Sequence, residues 1–256
     1  MGENEILTIR RTILLKMFNI KYLFALWIGF SVTFAQWSVD PGNPQMLGSG
    51  IQPQVQATSD GGVYIAWLTD MGGYHVYLQW FNSEGIAQFD DGGMLVSDNN
   101  NASWIAVYHL NLAVDSEDNA IITLVDQRTG PWEVYAYKIA PDGAMLWGAD
   151  GLTLSASGTD NISPRLAVLP DNSVVVTWSK NYSSIICQRI SPGGDLLWGE
   201  GFAINNLIAD LLSPHPIISS EGELLIQWIS QTGPVWAADS KLYLQKYDLD
   251  GSSVWN

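Results

Sequence analysis

The sequence has a single cysteine and few basic residues, and both shortages exclude classes of protein. Cys187 alone cannot form an internal disulfide or build a cysteine-rich zinc site. Only 11 Lys and Arg stand against 26 Asp and Glu, a net charge of −15, which argues against a nucleic-acid partner because such binding needs clustered basic charge. Charged residues make up only 14% of the 256 residues and apolar residues 47%. We therefore expect an acidic, folded chain with a sizeable core.

The amino-terminal segment combines basic residues with an apolar run, and no second such run follows it. Four basic residues precede the apolar stretch from Tyr22 to Ala35, which ends in small residues. This order is typical of a secretory signal peptide. The stretch of about 14 residues is shorter than the roughly 20 that a membrane-spanning helix needs. We predict a signal peptide over residues 1–35, with an uncleaved anchor as the alternative. The predicted location is secreted or cell envelope (periplasm or outer surface), with no membrane insertion after cleavage.

A pattern of about 55 residues occurs four times in residues 36–256. Each copy contains a strand-like block that ends in a turn glycine, and a large aromatic residue follows four positions later. The glycines are Gly85, Gly143, Gly194 and Gly251, and the aromatic residues are Phe89, Trp147, Trp198 and Trp255. Internal repeats of this length are typical of stacked architectures. The predicted repeats are about 37–88, 89–146, 147–197 and 198–256.

Each repeat has the composition of β-structure. Val63–Trp67 and Val174–Trp178 are rich in β-branched and aromatic residues and too short for helices. Turn residues such as Asp60-Gly61 stand before these blocks and favour tight hairpins. Four short antiparallel strands in each repeat are typical of a propeller blade. The predicted fold is all-β, a β-propeller of four repeats, with a β-sandwich as the alternative.

The two ends of the repeat region predict how a ring would close. The segment from Trp37 to Leu47 matches the one from Trp147 to Leu152, which leads into the fourth strand of a repeat. The region therefore starts with a fourth strand and stops at Trp255, after a third. The first segment is thus predicted to complete the last blade. Two interpretations stay open: a closed four-bladed ring, or part of a larger ring in a fragment of a larger surface protein.

The repeat motifs resemble those of a known group of proteins. Gln188-Arg189, followed by Gly194-Asp-Leu-Leu-Trp198-Gly-Glu-Gly201, and Asp126-Gln-Arg128 are similar to repeats of secreted β-propeller proteins of Bacteroidetes and related bacteria, which are associated with type IX secretion. The resemblance covers about residues 37–255 and concerns the repeat rather than an activity. The resemblance implies a secreted or surface scaffold. It implies no particular activity, because a fold does not fix a function.

No set of catalytic residues stands out in the sequence. Sialidases, which are also propellers, need three converging arginines. The only arginines after residue 35 are Arg128, Arg165 and Arg189, so all three would have to converge on one site. Arg189 shares its repeat position with Lys138, which predicts a place on the strand surface. Cys187 is predicted to be a buried, inert thiol. No carboxylate pair stands out, and the histidines lack the spacing of metal ligands. We predict no catalytic residue, no metal and no cofactor.

The loops between the second and third strands are the best candidates for a binding surface. They emerge on one face of a propeller and combine aromatic rings with Asp and Arg, which suits sugars or peptides. The candidate ligand-binding residues are Asp70, Tyr74, Asp126, Arg128, Trp132, Tyr182 and Trp236. The alternative for Trp132 and Trp236 is that they cap the cores of their blades.

These observations together predict an exported, non-enzymatic propeller. It would act as a binding or scaffold module whose partner is a glycan or a protein at the cell surface. A carbohydrate-active hydrolase and a lectin-like, glycan-binding propeller are the alternatives.

Overall fold

The computed structural model describes residues 40–101, 110–155 and 158–255. The predicted signal peptide, residues 1–35, lies outside these ranges. Within them the chain forms strands and one short 3-10 helix, Val235–Ala237, and no helix there has the length and apolar content to cross a membrane. The strands are β1 (Ile51–Ala57), β2 (Val63–Asp70), β3 (Tyr74–Phe81), β4 (Met94–Asn101), β5 (Asn111–Val114), β6 (Ala120–Asp126), β7 (Glu133–Ile139), β8 (Leu152–Thr153), β9 (Asn161–Val168), β10 (Val174–Lys180), β11 (Ser184–Ile190), β12 (Phe202–Asn205), β13 (Asp210–Ile218), β14 (Leu224–Thr232) and β15 (Asp239–Tyr247).

The strands form four successive antiparallel blades. Blade 1 contains β1–β4, blade 2 β5–β8, blade 3 β9–β12 and blade 4 β13–β15. One bridge between Asn101 of β4 and Asp126 of β6 also joins blades 1 and 2 into a single sheet. Successive antiparallel sheets of this size, each packed on the next, are the blades of a β-propeller. The prediction of an all-β propeller with four repeats is confirmed.

The hairpin between the first and second strands needs the same backbone conformation in every blade. Gly61, Asp118, Asn172 and Gly222 hold this position in the four blades, and their φ angles are +86°, +59°, +61° and +79°. Glycine, Asn and Asp tolerate positive φ better than other residues do. The turn chemistry in the sequence therefore specifies four equivalent hairpins.

The first strands of blades 1 and 3 each contain a bulge. β1 starts at Ile51 and β9 at Asn161. Pairing shifts by one residue near Gln52 and Ser163, where φ is +52° and +57°. Each bulge precedes a proline, and the strand continues beyond it.

Apolar side chains from facing sheets build the core between consecutive blades. One cluster joins Leu78 of blade 1 to Ile122 and Tyr137 of blade 2. The next two clusters join blade 2 to blade 3 and blade 3 to blade 4, and Trp147 and Trp198 lie in them. The recurring residues Trp147 and Trp198 thus supply contacts between blades.

Two polar contacts repeat at these interfaces. The indole Nε1 of Trp147 donates to the carbonyl of Pro192 at 3.1 Å, and Lys138 Nζ reaches the same carbonyl at 3.4 Å. One blade further on, Trp198 Nε1 donates to Leu249 O at 3.0 Å and Arg189 Nη1 to the same oxygen at 3.2 Å. A tryptophan and a basic residue of one blade thus bind a turn carbonyl of the following blade. The predicted surface position of Lys138 is wrong, because this interface buries it.

Replacing Trp147 by phenylalanine should test the indole contact alone. Phenylalanine keeps most of the buried apolar area but leaves the Pro192 carbonyl without its indole donor. We expect the free energy of unfolding to fall by about 1 kcal/mol. Urea denaturation measures the change, with Trp236→Phe as the control, since Trp236 is 89% exposed. Equal effects of the two substitutions would refute the role of the indole.

The predicted completion of blade 4 by the first segment is not what the structure shows. Within the described ranges blade 4 has three strands, and residues 40–50 form none. Leu47 instead packs against Ile65 and Trp67 of blade 1. Gly50 allows this approach, because a Cβ there would lie 2.3 Å from Cδ1 of Trp67. The segment is therefore held by the tryptophan of blade 1 and not by β15.

Candidate active site

Two acidic residues face each other at the end of the hairpin in blade 2. Asp126 is the last residue of β6 and Glu133 the first of β7, and the two are direct cross-strand partners. Because residues opposite each other in antiparallel strands point to the same face of the sheet, the two carboxylates share a face. Both residues are buried, with exposures of 0% and 1%. The loop of residues 127–132 connects them.

Arg128, in this loop, turns back onto Asp126. Its Nη2 lies 2.6 Å from Asp126 Oδ2, and its Nε donates to both carboxylate oxygens at 3.1 Å. The guanidinium also donates to Tyr137 Oη at 2.8 Å and lies 3.6 Å from the centre of the Tyr135 ring. Burial alone would lower the pKa of Arg128, but the hydrogen bonds with Asp126 and Tyr137 raise it above its usual value. Arg128 therefore supplies a permanent positive charge to Asp126.

Glu133 has different surroundings. The Tyr135 hydroxyl donates to its Oε2 at 2.9 Å, whereas its buried Oε1 has no hydrogen-bond partner among the described residues. Burial, followed by the hydrogen bond to Glu133, raises the pKa of Tyr135, so the phenol keeps its proton and remains a donor. A buried carboxylate oxygen without a donor is costly and commonly marks a functional position.

Two of the predicted ligand-binding residues lie together in this site, namely Asp126 and Arg128. Trp132, at the end of the same loop, packs partly buried against the core between blades 2 and 3. Its carbonyl accepts a hydrogen bond from the Asn161 amide at 2.9 Å. Trp132 thus caps a blade core, as its alternative interpretation stated.

The other four predicted residues lie in other blades. Tyr74 nevertheless packs on the core that contains Tyr135, and it pairs with Asn101, the bridge partner of Asp126. Asp70 and Tyr74 are cross-strand partners in blade 1, and Asp70 accepts a hydrogen bond from the Gly72 amide at 3.1 Å. Tyr182 has a φ of +61°, and its carbonyl accepts from the Leu211 amide of blade 4. Trp236 is 89% exposed, so it neither caps a core nor joins a pocket.

Sequence reasoning missed Glu133. Its signal is a charged residue at the start of a strand, Glu133–Ile139, in which every residue is buried. Recognising from the sequence that Glu133 pairs with Asp126 requires knowledge of the strand register. That register depends on the conformation of the loop of residues 127–132 rather than on a motif.

The other side chains that could serve as catalytic groups or metal ligands are less suited to these roles. Cys187 is fully buried, and burial raises the pKa of its thiol well above its usual value, so the reactive thiolate is disfavoured. Among the described residues no group of three His, Cys, Asp or Glu side chains is placed to hold a metal. Burial, followed by the positive charge of Arg165, lowers the pKa of His215, so its imidazole is neutral near pH 7.

No protein-family model matches the chain, and no curated protein is similar to it. Solved structures are similar in fold. A thermostable family-43 glycoside hydrolase has a TM-score of 0.47 at 15% identity, over 78% of this chain and 72% of the other. The endo-1,5-α-L-arabinanase of Thermotoga petrophila gives 0.45 at 16%, over 79% and 58%. The α-L-arabinanase of Penicillium chrysogenum gives 0.49 at 12%, over 79% and 64%. The chain thus spans less than two thirds of each arabinanase.

This comparison corrects the functional prediction. The sequence predicted a non-enzymatic binding or scaffold module, but the similar solved structures are a glycoside hydrolase and arabinanases. Both the non-enzymatic function and the absence of an enzyme activity are contradicted. No carboxylate pair stands out in the sequence, because only the strand pairing of blade 2 brings Asp126 and Glu133 together.

Proposed function

We propose that the protein hydrolyses glycosidic bonds and that Asp126 and Glu133 are its carboxylate pair. The observation that carries the proposal is the direct cross-strand pairing of these buried residues in unlike surroundings. Glycoside hydrolysis uses two carboxyl groups on either side of the bond, one as an acid and one as a charged carboxylate. Unlike environments let two chemically similar groups take these two roles.

The surroundings assign the roles. Asp126, bound by Arg128, is the charged carboxylate that either attacks the anomeric carbon or activates a water molecule. Glu133 has no cation at its buried Oε1, and this oxygen is the position from which a proton reaches the leaving group. Tyr135 holds Oε2 and fixes the orientation of the carboxyl group. Both carboxylates are covered, so the proposed reaction requires the loop of residues 127–132 to move and admit a glycan.

The proposed place of action is outside the cytoplasm. The predicted signal peptide and the resemblance to secreted repeat propellers support export to the cell envelope or beyond. The excess of acidic residues suits a soluble exported protein acting on neutral glycans.

A panel of chromogenic pentosides and hexosides, together with plant and bacterial polysaccharides, tests the proposal. The wild-type protein should release sugar from at least one of them. We expect Asp126→Asn and Glu133→Gln each to lower the rate by about 100-fold or more, because each removes an acid–base or charged group from the transition state. Asp142→Asn is the matched control, since Asp142 is an exposed acid beyond the other end of β7 in the same blade. Absence of hydrolysis across the panel, or unchanged rates in both variants, would refute the proposal.

A further inference from the structure

A cavity of about 290 Å³ opens between blades 2 and 3, apart from the candidate active site. Its lining comes from β8 and the residues that follow it, from β9–β11, and from the segment between β11 and β12. Trp178 and Ile186, two of the lining residues, belong to the core between blades 2 and 3. Glu133 instead shares its sheet face with Tyr135, which belongs to the core between blades 1 and 2. The cavity and the carboxylate pair thus lie on opposite sides of blade 2.

The wall of the cavity on blade 3 contains a row of polar cross-strand partners. Lys180, the last residue of β10, lies opposite Asn161 of β9 and Ser184 of β11. Lys180 and Asn161 both line the cavity. Asn161 Oδ1 accepts a hydrogen bond from the Trp178 indole at 3.0 Å, so the amide and the indole are held in place as parts of the wall.

Lys180 brings an unpaired positive charge to this wall. Other basic residues of the chain are paired, for example Lys138 with Asp115 and Arg189 with Asp171. Lys180 is only partly exposed, yet its ammonium group forms no ion pair or hydrogen bond within the described ranges. A lysine ammonium offers three donors and no acceptor. It is therefore complemented by a ligand that carries an oxyanion.

The blade 2 side of the cavity provides a second donor. Ser155 is 5% exposed, and its Oγ accepts a hydrogen bond from the Val134 amide at 2.9 Å. The hydroxyl proton of Ser155 has no acceptor in the part of the chain that the structure describes. Because buried polar groups are normally hydrogen-bonded, this proton is available to a ligand. Glu200, an exposed residue of the lining, offers only acceptors.

Apolar side chains form the rest of the lining. Leu154 and Ile186 belong to the adjoining core, and Leu196 is 39% exposed. The reason for the opening is the outer strand of blade 2: β8 has two residues, whereas β4 of blade 1 has eight. The short strand leaves the outer part of the facing sheet of blade 3 uncovered. The cavity thus combines an apolar surface with a few convergent polar groups, as small-molecule sites do.

We propose that this cavity binds one acidic sugar unit, a hexuronate. Its carboxylate would bind Lys180, one hydroxyl oxygen would accept from Ser155, and another hydroxyl would donate to Glu200. The C–H face of the ring would lie on the apolar lining. Sugar hydroxyls both donate and accept, whereas a zwitterionic amino acid uses its two charged groups on Lys180 and Glu200 and leaves Ser155 unmatched.

The size of the cavity supports a single sugar unit. Its volume is at the lower end of the range of about 300–1,000 Å³ found for small-molecule pockets. The inference is independent of the proposed hydrolysis, because it rests on a different set of residues and requires no reaction.

Calorimetric titration with sodium glucuronate and sodium galacturonate tests the proposal. These monosaccharides have no glycosidic bond, so their binding does not depend on hydrolysis. At least one should bind about tenfold or more tightly than glucose and galactose, and Lys180→Met should remove that advantage, because a hydrogen bond to a charged group is worth at least this factor. Lys241→Met is the matched control, since it changes the net charge equally at an exposed lysine outside the cavity.

Three results of the titration would overturn the proposal. They are an absence of uronate binding, equally tight binding of the neutral sugars or of glutamate, and an unchanged uronate affinity in Lys180→Met.

A variant that fills the cavity gives a second test without removing a charge. Leu196→Trp should abolish uronate binding, because the larger side chain occupies the space of the sugar ring. Leu197→Trp is the matched control and should bind as the wild type does, since Leu197 is 47% exposed and outside the lining. Glu133→Gln should also bind uronate normally, because Glu133 is on the other side of blade 2. Uronate binding by Leu196→Trp, or its loss in folded Glu133→Gln, would place the ligand elsewhere and refute this site.

Discussion

Replacing Lys138 by methionine is expected to lower the free energy of unfolding by about 3–5 kcal/mol. Lys138 Nζ lies 2.9 Å from Asp115 Oδ2, and the two side chains are 3% and 0% exposed. The substitution leaves the buried carboxylate without its cation, which is more costly than losing the attraction alone. Chemical denaturation measures the effect. Lys241→Met is the control: its ion pair with Asp239 is exposed, so its loss should cost less than about 0.5 kcal/mol.

The same substitution should change how stability depends on pH. Burial raises the pKa of Asp115, but hydrogen bonds from Asn119 and Lys138 outweigh it and leave the pKa below its usual value of 3.8. A depressed carboxyl pKa contributes stability above the unfolded-state pKa, and this contribution is lost as the pH falls through the folded-state pKa. Without Lys138 that contribution shrinks, so the deficit of the variant should narrow below about pH 4. A deficit that stayed constant from pH 7 to pH 3 would contradict the assignment to charge.

Replacing Trp178 by alanine should also lower the free energy of unfolding by about 3–5 kcal/mol. Trp178 is the largest fully buried side chain and fills the core between blades 2 and 3. Its indole Nε1 donates to Asn161 Oδ1 at 3.0 Å, so alanine leaves both a cavity and a lost donor. Thermal or urea unfolding measures the loss.

The four blades provide a graded control for this prediction. Trp228 holds the position of Trp178 in blade 4 but is only partly buried, so Trp228→Ala should cost less. Trp236→Ala, at an 89% exposed position, should change stability by less than about 0.5 kcal/mol. Equal losses at Trp178 and Trp236 would show that burial does not set the cost.

The fold followed from the sequence because the same local signals occur four times. Turn residues at the hairpins, β-branched second strands and the aromatic residues after each turn glycine are local features, and repetition makes each one more specific. Lys138 shows the limit of this reasoning. The alternation of its strand predicts one solvent-facing side, but a propeller covers both sheet faces of an internal blade, so neither face meets solvent.

The sequence predicts only part of the candidate site, namely Asp126 and Arg128 but not Glu133. Asp126 and Arg128 are two residues apart, and their ion pair follows from the Asp-x-Arg motif. The partnership of Asp126 with Glu133 depends on the length and path of the intervening loop, which set the register. Trp236 illustrates the opposite error. The sequence around Trp236 resembles that around Trp132. Trp132 packs against the core between blades 2 and 3, whereas Trp236 is 89% exposed among the described residues.

The bridge between Asn101 and Asp126 has a consequence for how the molecule opens. Because it joins the first two blades into one sheet, their amide protons should become accessible to deuterium together, as one cooperative unit. Blades 3 and 4 form sheets of their own and pack on this unit through shared cores. Asp126 lies at the seam between the two blades that open together.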